Sequence, residues 1–227
     1  MDTIVLERRA ISSRMLDSRN NLALACALSA VAGYVDGIGF LQLGGLFVSF
    51  MSGNSTRLGV SLAAEDWTGA LQAVGLIALF VVGAAVGSLI VLGRGRYRQA
   101  LVLLAEALLL VAAALAYTFA WPNLAVAAIV LAMGMENAVF QIQGGGGLGL
   151  TYVTGALVKV GQLAATALTG GPRWAWAPNL SLWAALVLGS LAGALAYHRI
   201  NLASIWFAAA VTLALSAMIA ATAKAED

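Results

Sequence analysis

Asp36, Arg57, Glu136 and Lys159 each lie in or beside a stretch of apolar residues, and Glu106 lies near the middle of another. An ionisable side chain inside hydrocarbon costs about 2.5–3.5 kcal/mol on insertion scales, so each of them needs a partner or a purpose. Two readings are open. In the first, these groups line a polar cavity where broken helices offer free N–H and C=O groups to a solute or ion. In the second, acids and bases pair only to assemble a bundle, Asp36 with Lys159 and Glu136 with Arg57. The run Ser52-Gly53-Asn54-Ser55-Thr56-Arg57 bears on the choice. Glycine tolerates backbone conformations closed to other residues, and Ser, Asn and Thr cap a helix that restarts. The free amides of such a start attract anions, and Arg57 one turn later adds to that field. A related stretch, Thr154-Gly155-Ala156 with Lys159 beyond it, keeps the break and lacks the asparagine. A simple kink with hydroxyl back-bonding accounts for the same residues. The candidate solute- or ion-binding set is Asp36, Ser52, Gly53, Asn54, Thr56, Arg57, Glu136, Asn137, Thr154, Gly155 and Lys159.

Other chemistries are poorly supplied. A single cysteine, Cys26, cannot form an internal disulfide or a thiolate metal site, and a single histidine, His198, removes most zinc and Ser-His-Asp possibilities. Ser52 has no histidine near it in sequence, so an enzyme is not expected. Gly144-Gly145-Gly146-Gly147 lacks the Gly-Lys-Ser/Thr of a phosphate loop and reads as a flexible link. The net charge of +2 comes from dispersed Lys and Arg, which is no footprint for nucleic acid. No cofactor and no metal are expected.

The elements that must position these residues are membrane helices. Of the 227 residues, 62% are hydrophobic and 10% charged, against roughly 45–50% and about 25% in soluble domains. A spanning helix needs roughly 20 largely apolar residues. Segments 21–43, 68–92, 99–120, 179–197 and 201–222 meet this, and 123–143 is acceptable despite Glu136, Asn137, Gln141 and Gln143. Segments 46–64 and 148–169 are interrupted and weaker. Trp67, Trp121, Trp174 and Trp176 fall at segment ends, where aromatic belts form. The expected fold is an all-α polytopic membrane protein of about six transmembrane helices plus two short broken or re-entrant segments. A cytoplasmic arm, residues 1–20, carries Arg8, Arg9, Arg14 and Arg19 and precedes the first helix. A cleaved signal peptide fits less well, because the apolar run continues towards Leu46.

The chain is written twice. Gly33-Tyr34-Val35-Asp36 corresponds to Gly134-Met135-Glu136-Asn137 at an offset of 101, and Ser49-Phe50-Met51-Ser52-Gly53 to Thr151-Tyr152-Val153-Thr154-Gly155 at 102. Gly83 and Gly87 lie over Gly189 and Gly193 at 106. The implied repeats are 21–120 and 121–222 within one transmembrane domain, followed by a short tail, 223–227. If the two weak segments dip in and return, Arg94, Arg96, Arg98, Arg173 and Lys224 join the N-terminal arginines on the cytoplasmic side. Each half then crosses an odd number of times, so the repeat is inverted. The paired Gly-x3-Gly faces read as close helix packing, within the bundle or in a homo-oligomer.

Ala32-Gly33-Tyr34-Val35-Asp36, Phe47 to Asn54, Gly134-Met135-Glu136-Asn137 and Thr151 to Gly155 together resemble the YoaK-like bacterial integral membrane proteins of unknown function. That resemblance covers the chain from about residue 20 onward. The family pattern has Thr where this chain has Ser52 and Gln where it has Glu136, so the latter adds an ionisable group. The resemblance implies a bacterial inner-membrane protein and carries no activity with it. From the residues, the leading function is a small-solute transporter or permease. Asp36 and Glu136 would bind a coupling proton or cation, Ser52, Asn54, Thr56 and Thr154 would contact solute, and Arg57 and Lys159 would balance charge or hold an anion. The alternative is a non-transporting membrane scaffold or regulatory protein whose arginine arm binds lipid or a partner.

Overall fold

The structure, a computed structural model, describes residues 19–93, 95–139 and 153–225. Most of the arginine arm, Arg94, Gln141, Gln143, the Gly144–Gly147 link and Thr151-Tyr152 lie outside the described residues. Its helices are α1 (Arg19–Gln42), α2 (Met51–Ala63), α3 (Trp67–Leu92), α4 (Arg98–Thr118), α5 (Pro122–Glu136), α6 (Val153–Leu168), α7 (Ala177–Ile200) and α8 (Ile205–Ala225). There is no strand among the described residues.

Local chemistry sets the helix boundaries. Asp66 caps α3 by accepting from the Gly69 N–H at 3.0 Å. Proline occupies the first turn of both α5 and α7, where its missing N–H leaves no helical bond unmade. After α1 the chain turns away through Gly44 and Gly45, whose φ values of 60° and 101° favour glycine.

Four stretches are long and apolar enough to cross a membrane: Asn21–Gln42, Trp67–Leu92, Arg98–Thr118 and Ala177–Lys224. The last runs to 48 residues, which as one helix would be about 72 Å long. A 3₁₀ turn at Asn201–Ser204 divides it into α7 and α8, of 24 and 21 residues, each close to the length of a ~30 Å hydrocarbon core. Helix α5, at 15 residues, and α6, at 16, are apolar but shorter. Helix α2 has 13 residues and spans only about 20 Å.

Helix α1 packs along α7, α3 along α5, and α4 between α5 and α8, while α2 leans on α3 and α6 on α7. Glycines make the first two crossings close. A Cβ on Gly189 or Gly193 would strike the carbonyl of Ala30 or Tyr34, and one on Gly33 the carbonyl of Leu186. In the other crossing Gly83, Gly87 and Gly134 meet the carbonyls of Leu131, Met135 and Phe80 in the same way. Without a hydrophobic drive between helices in lipid, such backbone approach supplies the packing. Both Gly-x3-Gly faces are therefore spent inside the bundle. Leu28, Ile38, Leu103, Leu110, Ile129 and Met133 are fully buried at its centre. Leu71, Leu89, Leu92, Leu188 and Leu195 stand out from α3 and α7, an apolar exterior suited to lipid.

Candidate functional site

The break in the first half lies before the polar run, at residues 43–50, and α2 is helical through Ser52 to Arg57. Two buried side chains hold the unwound segment. The Asp36 carboxylate on α1 accepts the Val48 and Ser49 N–H groups at 2.8 and 2.7 Å and the Ser49 hydroxyl at 2.5 Å. Asn54, fully buried in the first turn of α2, accepts the Phe47 N–H at 2.9 Å and donates to the Phe47 carbonyl at 2.7 Å. The expected helix cap is thus replaced. Phe50 holds the N-cap position without a side-chain bond, and Asn54 reaches backwards to the loop. Asp36 takes the Val48 and Ser49 amides of the unwound segment, and the Met51, Gly53 and Asn54 N–H groups at the start of α2 bond to the Ser49 and Phe50 carbonyls. The hydroxyls of Ser55 and Thr56 bond to the carbonyls of Met51 and Ser52 four residues back, a local use that does not break the helix.

Asn54 therefore splints the loop, and its removal has a definite expected cost. Asn54→Ala leaves the Phe47 N–H and C=O without these partners, a loss of about 1–3 kcal/mol for a buried orphan. Thermal unfolding of the purified protein measures it. A shift no larger than that of Ser52→Ala, a change at an exposed side chain, would show that Asn54 does not hold the loop.

Beside this loop is a pocket of about 480 Å³ between α1, α6 and α7. Asp36, Ser49, Thr154 and Ser190 supply its polar groups, and Phe40, Phe47, Phe50, Leu157 and Leu186 much of the remainder. The rings form a continuous wall, with Phe47 centred 5.2 Å from both Phe40 and Phe50. A carboxylate has about four lone-pair positions. Those of Asp36 face the Val48 and Ser49 N–H groups and the Ser49 hydroxyl, with the Phe50 N–H beside them, so what the group presents to the pocket is its negative charge. No Lys, Arg or His belongs to the lining among the described residues.

Asp36 and Thr154 are thus the expected residues that meet in the pocket. Asn54 stands behind it as a support, and Gly53 packs under the Phe47 and Phe50 rings. Ser52, Thr56, Arg57 and Lys159 are exposed, and Gly155 is half-buried. Neither basic residue pairs with an acid as expected: Asp36 is bound by the loop, and Glu136 keeps Oε1 without a hydrogen-bond partner. Asn137 donates to the Met133 carbonyl at 3.0 Å. Ser190 and the three phenylalanines were not singled out as site residues. In an apolar sequence a ring beside a cavity reads like a ring against lipid, and no spacing marks the difference.

A family described as a protein of unknown function, DUF1275, matches residues 24–218. The UPF0700 transmembrane protein RA0705 of Rhizobium meliloti (strain 1021) is 35% identical over 222 residues, covering 95% of this chain and 92% of the relative. No solved structure matches the chain. The family match spans α1 to α8, including every helix that builds the pocket. With these apolar helices and a transmembrane relative aligned almost end to end, the chain belongs to the DUF1275 family of membrane proteins.

Proposed function

We propose that the protein is a small-solute transporter of the bacterial inner membrane, N-terminus cytoplasmic, with its solute held in the pocket between α1, α6 and α7. The observation that carries this reading is a cavity whose wall includes both a buried carboxylate and unwound backbone. Non-helical backbone at membrane depth is tolerated where protein buries it or a cavity borders it, and transporters place their sites at such interruptions. The lining favours a small cation with an apolar body, of the alkylammonium class. Asp36 supplies the negative charge, and aromatic faces attract cations. Arg57 and Lys159, expected to balance charge or hold an anion, lie outside the pocket lining.

An inverted repeat is part of the proposal, α1–α4 against α5–α8. It is supported by the glycine crossings. Ala30 and Tyr34 are each 101 residues from Leu131 and Met135, and Gly83 and Gly87 are each 106 from Gly189 and Gly193. The first helix of each half thus meets the third helix of the other at corresponding positions. The α1–α7 crossing borders the cavity, and rocking of that crossing against the α3–α5 crossing is the motion alternating access needs.

Thermal stability of the purified protein against alkylammonium ions, alkali cations and small carboxylates tests the reading. A ligand that binds only the folded state stabilises it by about 2.7 kcal/mol at 100 times its Kd. Stabilisation by alkylammonium ions alone is expected. Carboxylates acting as strongly would remove the assigned charge preference. Silence across the whole panel would favour a membrane scaffold instead.

A further inference from the structure

We infer that Glu106 and Glu136 form a proton-binding site at the centre of the bundle, outside the solute pocket, with the Thr212 hydroxyl as its third member. Glu106 on α4 and Thr212 on α8 are 0% exposed, and Glu136 on α5 is 1% exposed. Both Glu106 oxygens, Glu136 Oε1 and Thr212 Oγ1 are buried without a hydrogen-bond partner. Buried polar groups are otherwise paired almost without exception, and an orphaned set calls for an occupant. Thr212 stands close enough to Glu106 across the α4–α8 contact to act on it, with no hydrogen bond of full geometry between them, and Glu136 is within electrostatic reach of both Glu106 and Asp36.

The occupant follows from the chemistry of the surroundings. No Lys, Arg or His among the described residues pairs with either carboxylate, and α3, which packs on α5, carries no ionisable side chain. Two uncompensated negative charges there would each bear the cost of an ion in hydrocarbon. No group of three or more His, Cys, Asp or Glu among the described residues is arranged to hold a metal ion. A proton removes each charge and turns an acceptor-only carboxylate into a donor. The protonated carboxyl can then donate a hydrogen bond to Thr212 Oγ1 or to the other carboxyl group. Glu136 also lies within electrostatic reach of Asp36, which borders the pocket. The use of these protons to drive solute movement rests on the transport reading; the proton site itself does not.

Infrared spectra of the full-length protein in lipid bilayers decide it, because a protonated carboxyl shows a C=O stretch separate from carboxylate bands. The parent should show such bands at neutral pH, with one component lost in Glu106→Gln and another in Glu136→Gln. Transfer to D₂O should shift them about tenfold faster than the slowest core amides exchange, since a working site opens locally while the core stays folded. Bands that exchange only with those amides would mean inert, permanently buried acids, and would overturn the proposal. So would carboxylate bands alone, the result expected of a bound monovalent cation. If Glu106→Gln does not accumulate, Glu136→Gln and the parent's exchange rate still decide. Failure of every solute in the stability panel leaves this result untouched, so the two readings fail separately.

Discussion

Gly193→Leu and Gly83→Leu are each expected to yield no folded protein. A Cβ at Gly193 already lands on the Tyr34 carbonyl, and one at Gly83 on that of Leu131. The obstacle in both cases is helix backbone, which has no rotamer to move to. Even Ala would push the axes apart, at the ~1–3 kcal/mol typical of overpacking, and Leu adds three more carbon atoms in the same place. Gly75 in α3 and Gly161 in α6 give the contrast, because nothing lies within 4 Å of a Cβ at either. There Ala should be neutral or raise stability by up to about 1 kcal/mol, since glycine is costly in a helix interior. Yield of monodisperse protein and its unfolding temperature measure all of these. If Gly193→Ala behaved like Gly161→Ala, the α1–α7 crossing would be looser than described. Because the α3–α5 crossing is built alike, equal losses at Gly83 and Gly193 would also support the proposed repeat.

Asp36→Asn should abolish binding and uptake of the cation while leaving the protein folded, whereas Asp36→Ala should do both kinds of damage. The distinction lies in the two tasks of the carboxylate. One oxygen accepts the Val48 and Ser49 N–H groups, and the other accepts the Ser49 hydroxyl. An amide keeps the first oxygen and, with the Ser49 hydroxyl turned to accept from its NH₂ group, preserves the loop. It loses the charge that faces the pocket. Alanine leaves buried N–H groups without these bonds, at about 1–3 kcal/mol each. Unfolding temperature separates the variants, and binding of an alkylammonium ion followed by flux into proteoliposomes reads the site. Full uptake by Asp36→Asn would confine Asp36 to holding the loop and remove it from the solute site. Fully stable Asp36→Ala would remove the structural task.

The membrane class and the positions of the long helices were legible in the chain because both depend on local quantities. Nearly continuous apolar composition over about 20 residues is enough to place α1, α3, α4, α7 and α8. The polar interruptions also pointed to two short helices, α2 and α6. Asp36 stood out as a charge in an apolar run, and the spacing of Gly83, Gly87, Gly189 and Gly193 marked faces for close packing. What composition could not decide was which backbone each glycine meets. Tyr34 and Gly193 are far apart in sequence, and only the crossing of α1 with α7 brings them together.

The same limit governed the site. Polar residues at 52–57 suggested a break there, yet the unwound residues come earlier, because Asp36 and Asn54 satisfy the backbone of 47–49 from either side. The symmetric pairing of acids with Arg57 and Lys159 failed for a related reason. Those bases are exposed, and the carboxylate had nearer donors in the loop. Glu106 was visible as a costly residue, but its place beside Thr212 and Glu136 requires α4, α5 and α8 to be assembled. Sequence by itself determined that this chain lives in a membrane and where its expensive residues lie, since hydropathy and charge are properties of each segment alone. Tertiary structure decided which of those residues face one another and which are left unpaired, because a hydrogen bond or a steric contact depends on positions within a few ångströms across different helices.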